Sequence, residues 1–210
     1  DEILAVANAP HGTKLIKCDK NDMKNIINAG CEVILNQPNM LELNAPINII
    51  GDMHGHFFDL IRIFNKCGWP NEKTYLFLGN YTNFGRYGIE TVLLILVMKL
   101  KFPENVFMIR GNHDCDKLTE LHGFKQECKH RYGSKIWKLV IDLFNNLTPA
   151  AIVGDSIFCA HGGICENILK VGEIHQIPRG MNVPVQGPLT DLLWSDPNTN
   201  EEETEFSENI

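Results

Sequence analysis

The sequence predicts an α/β layered domain, mainly parallel in its first half, on three observations. Short apolar runs bounded by turn residues alternate with segments whose apolar residues recur at helical spacing. No internal repeat or long linker interrupts that alternation, which is the pattern of strands and helices packed in layers. Each strand-like run also ends in a glycine-bearing loop with Asp, Asn or His, where sites of open α/β sheets form.

The elements follow in order. Residues 1–20 have weak periodicity and are expected to form an irregular lead-in, with the domain proper at 21–210. Asn21 reads as the N-cap of a helix carrying Met23, Ile26, Ile27, Cys31 and Ile34 on one face. Gln37-Pro38 ends it, because the residue before a proline avoids helical backbone. Ala45-Pro46 then introduces a buried strand at 47–50. A helix with Phe58, Leu60, Ile61 and Phe64 leads to a strand at 75–78. A second, with Ile89, Val92, Leu93, Leu96, Val97 and Leu100, leads to a strand at 106–109. Further helices are expected around 116–131 and 134–147, the latter with Ile136, Val140, Leu143, Phe144 and Leu147 inward. A strand at 156–160 follows, and the acidic run at 201–205 reads as a solvated, mobile segment.

Composition narrows the function classes. A chain of 210 residues with 44% hydrophobic content is long enough for one domain with a real core. The net charge is −7 and no Lys/Arg tract is present, so no nucleic-acid partner is expected. The longest apolar stretch, 91–98, is too short to span a bilayer, so no membrane partner is expected either. Seven cysteines without a C-x-x-C pair, and no signal-peptide pattern after Asp1-Glu2, suggest free thiols in a reducing compartment, cytoplasmic or nuclear. Cys159 is read as a buried thiol acting as a small hydrophobe.

Four loops carry the chemistry: Gly51-Asp52-Met53-His54-Gly55, Gly79-Asn80-Tyr81-Thr82-Asn83-Phe84-Gly85, Arg110-Gly111-Asn112-His113-Asp114 and His161-Gly162-Gly163. On one sheet they would converge on a single crevice. Asp52 and His54, two residues apart in extended backbone, point the same way and can reach one ion. Asn112 offers an amide oxygen and His161 an imidazole. Oxygen and nitrogen donors without thiolate suit Mn, Fe or Zn. The plainer readings stand beside these: Asn112 serving a turn, His161 a satisfied buried imidazole, Asp114 a helix N-cap. Asp59 and Glu90 read as helix-surface or first-turn charges, and Trp137 and Trp194 as core.

Through these loops, the chain from about Asn36-Gln37-Pro38 onward resembles the phosphoprotein phosphatase (PPP) family of serine/threonine phosphatases, nearest the protein phosphatase 1 type. Phe124-Lys125-Gln126-Glu127-Cys128, Pro149-Ala150-Ala151-Ile152 and Asp191-Leu192-Leu193-Trp194-Ser195-Asp196-Pro197 share in the resemblance. It implies a calcineurin-like metallophosphoesterase domain, a layered α/β/α sandwich with a second sheet. It also implies two divalent ions, Mn or Fe/Zn, that activate a bridging water against phosphoserine or phosphothreonine. Asp52 and His54 match ligands of one ion, Asn112 and His161 ligands of the other, and Asn80 stands at the bridging position. His113 matches the histidine that protonates the leaving alkoxide. A phosphoprotein substrate or a regulatory protein subunit is the implied partner.

The sequence departs from the family pattern in one loop. Asn80 and Asn83 stand where the family has Asp, and Phe84 where it has Arg. An amide NH2 cannot face a cation, so at most one well-bound ion is expected. Arg86 lies two residues on and is not read as a substitute for the missing guanidinium. Set against the family, the chain stops at Ile210 one residue before another phosphate-binding arginine, which would leave the second sheet incomplete with an edge exposed. The expected function is therefore a phosphatase family member with activity strongly impaired or absent. The alternatives are a non-catalytic pseudophosphatase that binds a partner, and a non-functional partial copy.

Overall fold

The computed structural model describes residues 18–164 and 166–197. The expected lead-in up to residue 17 and the acidic run at 201–205 lie outside the described residues. The first helix, α1 (Lys20–Leu35), is capped by Asp19, whose carboxylate accepts the Asn21 N–H at 2.7 Å. The cap is thus Asp19 and not Asn21, since both residue types suit the position and Asp19 reaches the free amide first. Met23, Ile27 and Ile34 are buried on one face, with Ile26 and Cys31 at its margin.

The remaining elements are β1 (Met40–Leu43), β2 (Asn48–Ile50), α2 (Phe57–Cys67), β3 (Tyr75–Phe77), α3 (Gly88–Lys101), β4 (Val106–Met108), α4 (Asp116–Leu121), α5 (Phe124–Arg131), α6 (Ser134–Asn145), β5 (Ala150–Val153), β6 (Ile157–Ala160), a 3-10 turn (Val171–Gln176) and α7 (Pro188–Trp194). The helix expected over 116–131 is two helices, because Gly123 takes a left-handed backbone (φ 97°) between them.

The strands form two sheets. In one, β2, β3 and β4 are all parallel; in the other, β1 and β5 are parallel and β6 is antiparallel to β5. The four loops therefore do not belong to one sheet, since His161 follows β6 of the second. Alternation sorts the side chains into layers. Tyr75 and Phe77 face the cluster built by α1, α2, α3 and α6, while Leu76 faces Leu41, Leu43, Ala151, Val153 and Cys159 of the second sheet. Met40 and Ala150 point the other way, against Ile174, Leu189, Leu192 and Leu193. The layering is helices, sheet, sheet, helices.

Some sequence readings change here. β2 is an edge strand of its sheet, so Ile49 is 40% exposed and the strand is not buried. Trp194 is 41% exposed and does not serve as core. Glu90 is a first-turn charge of α3, and it is fully buried and paired with Arg131 and does not lie on the helix surface. Asp59 is half-buried beside Arg62 in the first turn of α2, and Trp137 is half-buried with its indole N–H on Thr119 Oγ1 at 3.0 Å.

Candidate functional site

The loops after β2, β3 and β4 leave the same edge of one parallel sheet and are stitched together by backbone. The Asn80 carbonyl accepts Met53 N–H (3.1 Å) and His54 N–H (2.7 Å), and the Tyr81 carbonyl accepts Gly55 N–H (2.9 Å). Gly79 (φ 107°) lies directly against the Gly111 backbone, where any Cβ would collide. The second sheet joins at this edge: Ile109 pairs with Thr148, and Arg110 N–H donates to the Thr148 carbonyl at 2.9 Å. His161 then reaches across, donating from Nδ1 to the Leu78 carbonyl at 2.8 Å, which turns Nε2 to Asn112 Oδ1 at 3.0 Å. Asp52, His54, Asn80, Asn112, His113 and His161 are thus neighbours, as the loop pattern requires.

Their contacts define the electrostatics. His54 lies 2.9 Å from the Thr82 carbonyl through Nδ1 and 3.1 Å from Asp52 Oδ2 through Nε2. Both partners accept, so each ring nitrogen of His54 faces an acceptor, which favours the protonated ring. The Asp52 hydrogen bond accordingly raises the His54 pKa, and His54, with Asn80 next, holds the Asp52 carboxyl below its usual range. Asn80, only 3% exposed, donates from Nδ2 to Asp52 Oδ2 at 2.9 Å and accepts His113 N–H on Oδ1 at 2.9 Å.

Asn83 donates from Nδ2 to His113 Nδ1 at 3.1 Å. An amide NH2 cannot accept, so the His113 proton sits on Nε2. Burial, reinforced by the charges of His54 and His122, pushes the His113 pKa down to about 4. The Asn83 Oδ1 and Thr82 Oγ1 atoms are buried without a hydrogen-bond partner. Phe84 is 61% exposed in left-handed backbone (φ 55°). Its ring packs 4.8 Å from His54, 4.8 Å from His122 and 5.4 Å from His113.

Arg110 and Asp114 belong to a loop the sequence singles out but take roles it does not show, and His122 is a residue the sequence does not single out. Asp114 is not a helix cap; α4 begins after Cys115, and Asp114 is fully buried. Its carboxylate accepts Asn80 N–H and Gly111 N–H at 2.8 Å each and Tyr81 N–H at 3.2 Å, and burial pushes its pKa up to about 6. Arg110 is buried and spans Met181 O (2.9 Å) and Asn145 Oδ1 (2.6 Å). His122 joins the ring cluster from the end of α4. Local pattern could not show these contacts, because every partner is non-local or backbone. Cys159 is buried in the layer between the sheets, as a small hydrophobe should be. Among the described residues, no three His, Cys, Asp or Glu side chains gather around a common point. An open cavity of about 380 Å³ borders Asp52, lined also by Ile49, His56, Asp59 and Ile63.

This fold and loop arrangement define a metallophosphoesterase. The calcineurin-like phosphoesterase family matches residues 45–208, and the chain belongs to that family, whose members use divalent metal ions. Among solved structures, a serine/threonine phosphatase from Saccharomyces cerevisiae with similarity to human phosphatase PP5 is 30% identical, with a TM-score of 0.83 over 86% of this chain. The match covers 60% of the yeast chain. A cold-active protein-tyrosine phosphatase from a Shewanella species shares the fold at 14% identity, with a TM-score of 0.52 over 75% of this chain and 51% of that one.

Proposed function

We propose that this protein is a serine/threonine phosphatase by descent, of the protein phosphatase 1 type, in which hydrolysis is strongly impaired or absent. The descent is supported by 30% identity to the yeast serine/threonine phosphatase over 86% of this chain. The loss of hydrolysis is carried by one observation. The 79–85 loop turns three side chains to the site: an amide on Asp52, an amide on His113, and a phenyl ring among the histidines.

The donor set fits one ion and not a bridged pair. Asp52, Asn112 and His161 supply oxygen and nitrogen donors, and Asn112 Oδ1 and His161 Nε2 already lie 3.0 Å apart. Such an ion, when bound, would polarise a phosphoryl oxygen. Asn80 does not fit the bridging role, because its NH2 faces Asp52 and its oxygen is taken by His113 N–H. Turning the amide over would set donor against donor and acceptor against acceptor.

Proton transfer fails for a related reason. With its pKa near 4, His113 is neutral at physiological pH and has no spare proton for a leaving alkoxide. The Asn83 NH2 on Nδ1 opposes a second proton, where a carboxylate would favour it. Phe84 offers phosphate neither charge nor donor, and one missing charge-assisted contact costs about 1.5–3 kcal/mol. The partner in this reading is a phosphoprotein or a regulatory protein subunit.

Two measurements test the reading. Calorimetric titration with Mn²⁺ is expected to show no more than one tight site, and a phosphopeptide assay no turnover above the Mn²⁺ buffer blank; two tight sites or clear turnover would overturn it.

A further inference from the structure

We infer that the Asn80 carboxamide ties the site loops together by hydrogen bonds where a carboxylate would need a cation, so that this site assembles without metal. The inference deepens the functional reading above and rests on it for the location of the site. All four polar atoms of Asn80 bond to other loops. The backbone N–H goes to Asp114 Oδ2 (2.8 Å), and the carbonyl takes Met53 N–H (3.1 Å) and His54 N–H (2.7 Å). The side chain spans the two flanking loops, with Nδ2 on Asp52 after β2 and Oδ1 on His113 N–H after β4, each at 2.9 Å. The conformation is left-handed (φ 55°), which asparagine tolerates better than most residues. Gly111 leaves the room for the amide, since a Cβ there would strike Asn80 Oδ1.

The amide works because it offers a donor on one side and an acceptor on the other. Asp52 needs the donor and His113 N–H needs the acceptor. A carboxylate at position 80 would still accept from His113 but would set a second negative charge against Asp52. That pair would need a cation or a proton between its oxygens. Asparagine is therefore the residue that closes this site without one, and Asn80 acts as a positioning residue for Asp52 and His113.

The experiment is thermal unfolding of the full chain in EDTA and in Mn²⁺, for the native protein, Asn80→Asp and Asn80→Ala, with Mn²⁺ stoichiometry from calorimetry. Asn80→Asp is expected to unfold about 5 °C or more below the native chain in EDTA. It should recover that loss in Mn²⁺ and bind one more Mn²⁺ than the native chain. Asn80→Ala should lose stability equally in both conditions, because it removes the tie without creating an ion site. The inference is overturned if the native chain and Asn80→Asp respond alike to the exchange of EDTA for Mn²⁺, or if Asn80→Ala is as stable as the native chain. Should Asn80→Asp fail to fold in EDTA, its folding on addition of Mn²⁺ is the supporting result and its failure in both is the overturning one. Phosphopeptide turnover by the native chain would sink the functional reading, whereas these unfolding shifts judge only the tie.

Discussion

Two polar clusters flank the start of α3. On one side, Arg131 binds Glu90 and Glu127, donating from Nη1 to Glu90 Oε2 at 3.0 Å and to Glu127 Oε1 at 2.9 Å, and from Nη2 to Glu90 and the Tyr132 hydroxyl. Glu127 in turn accepts Gly88 N–H and Ile89 N–H at 3.1 Å each, an anion set on a helix N-terminus. On the other side, the 79–85 loop presents amides and a ring, and leaves Asn83 Oδ1 and Thr82 Oγ1 buried without partners. The first cluster has both charge signs and satisfies each group from another. The second presents neutral amides and a ring and carries two unsatisfied atoms.

That contrast breaks most readily at Arg131. Removing it as Arg131→Ala strands the fully buried Glu90 and the largely buried Glu127 without a counter-charge. Losing one partner of such a cluster costs about 3–5 kcal/mol. Urea unfolding is expected to show a loss of that size; a change below about 1 kcal/mol would mean the cluster is not what anchors α3.

The next effect belongs to the loop. Asn83→Asp supplies His113 Nδ1 with an anionic acceptor in place of a donor. Its pKa is expected to climb from about 4 to the ordinary histidine value of 6.5 or above, followed by NMR of the imidazole. A value still below about 5 would assign the low pKa to burial and the neighbouring rings alone.

The smallest effect is a slope. Glu127 is pushed up from 4.5 to about 7, by burial first and then by Glu90. The folded state thus holds its proton more tightly than the unfolded one, so stability is lost as pH rises from about 4.5 to 7. Asp114, raised from 3.8 to about 6, acts with the same sign. His113, lowered from 6.5 to about 4, acts oppositely and costs stability as pH falls through that window. Glu127→Gln is expected to flatten the decline between pH 5 and 7.5 and leave the acid-side loss, read from urea midpoints.

Much of this was legible from local pattern. The helices with Leu60 and Phe64, with Val92 and Leu96, and with Val140 and Phe144 were readable because apolar spacing reports the buried face directly. The loops were readable because glycine beside Asp, Asn or His marks strand ends. β1 was missed because four residues, Met40-Leu41-Glu42-Leu43, show no periodicity that separates a strand from a loop. Its pairing with β5 rests on a partner far along the chain. The burial of Glu90 was not legible because its first-turn position says nothing about the α5 residues packed over it.

By itself the sequence determined the α/β alternation, the four site loops and the identity of the residues they carry, because each is a property of neighbours in the chain. Only the tertiary structure decided which way the Asn80 and Asn83 amides point. It also set the second sheet that delivers His161, and the burial of Asp114 and Glu90. Those depend on groups brought together across the fold, where a donor or acceptor has meaning only against the atom that faces it.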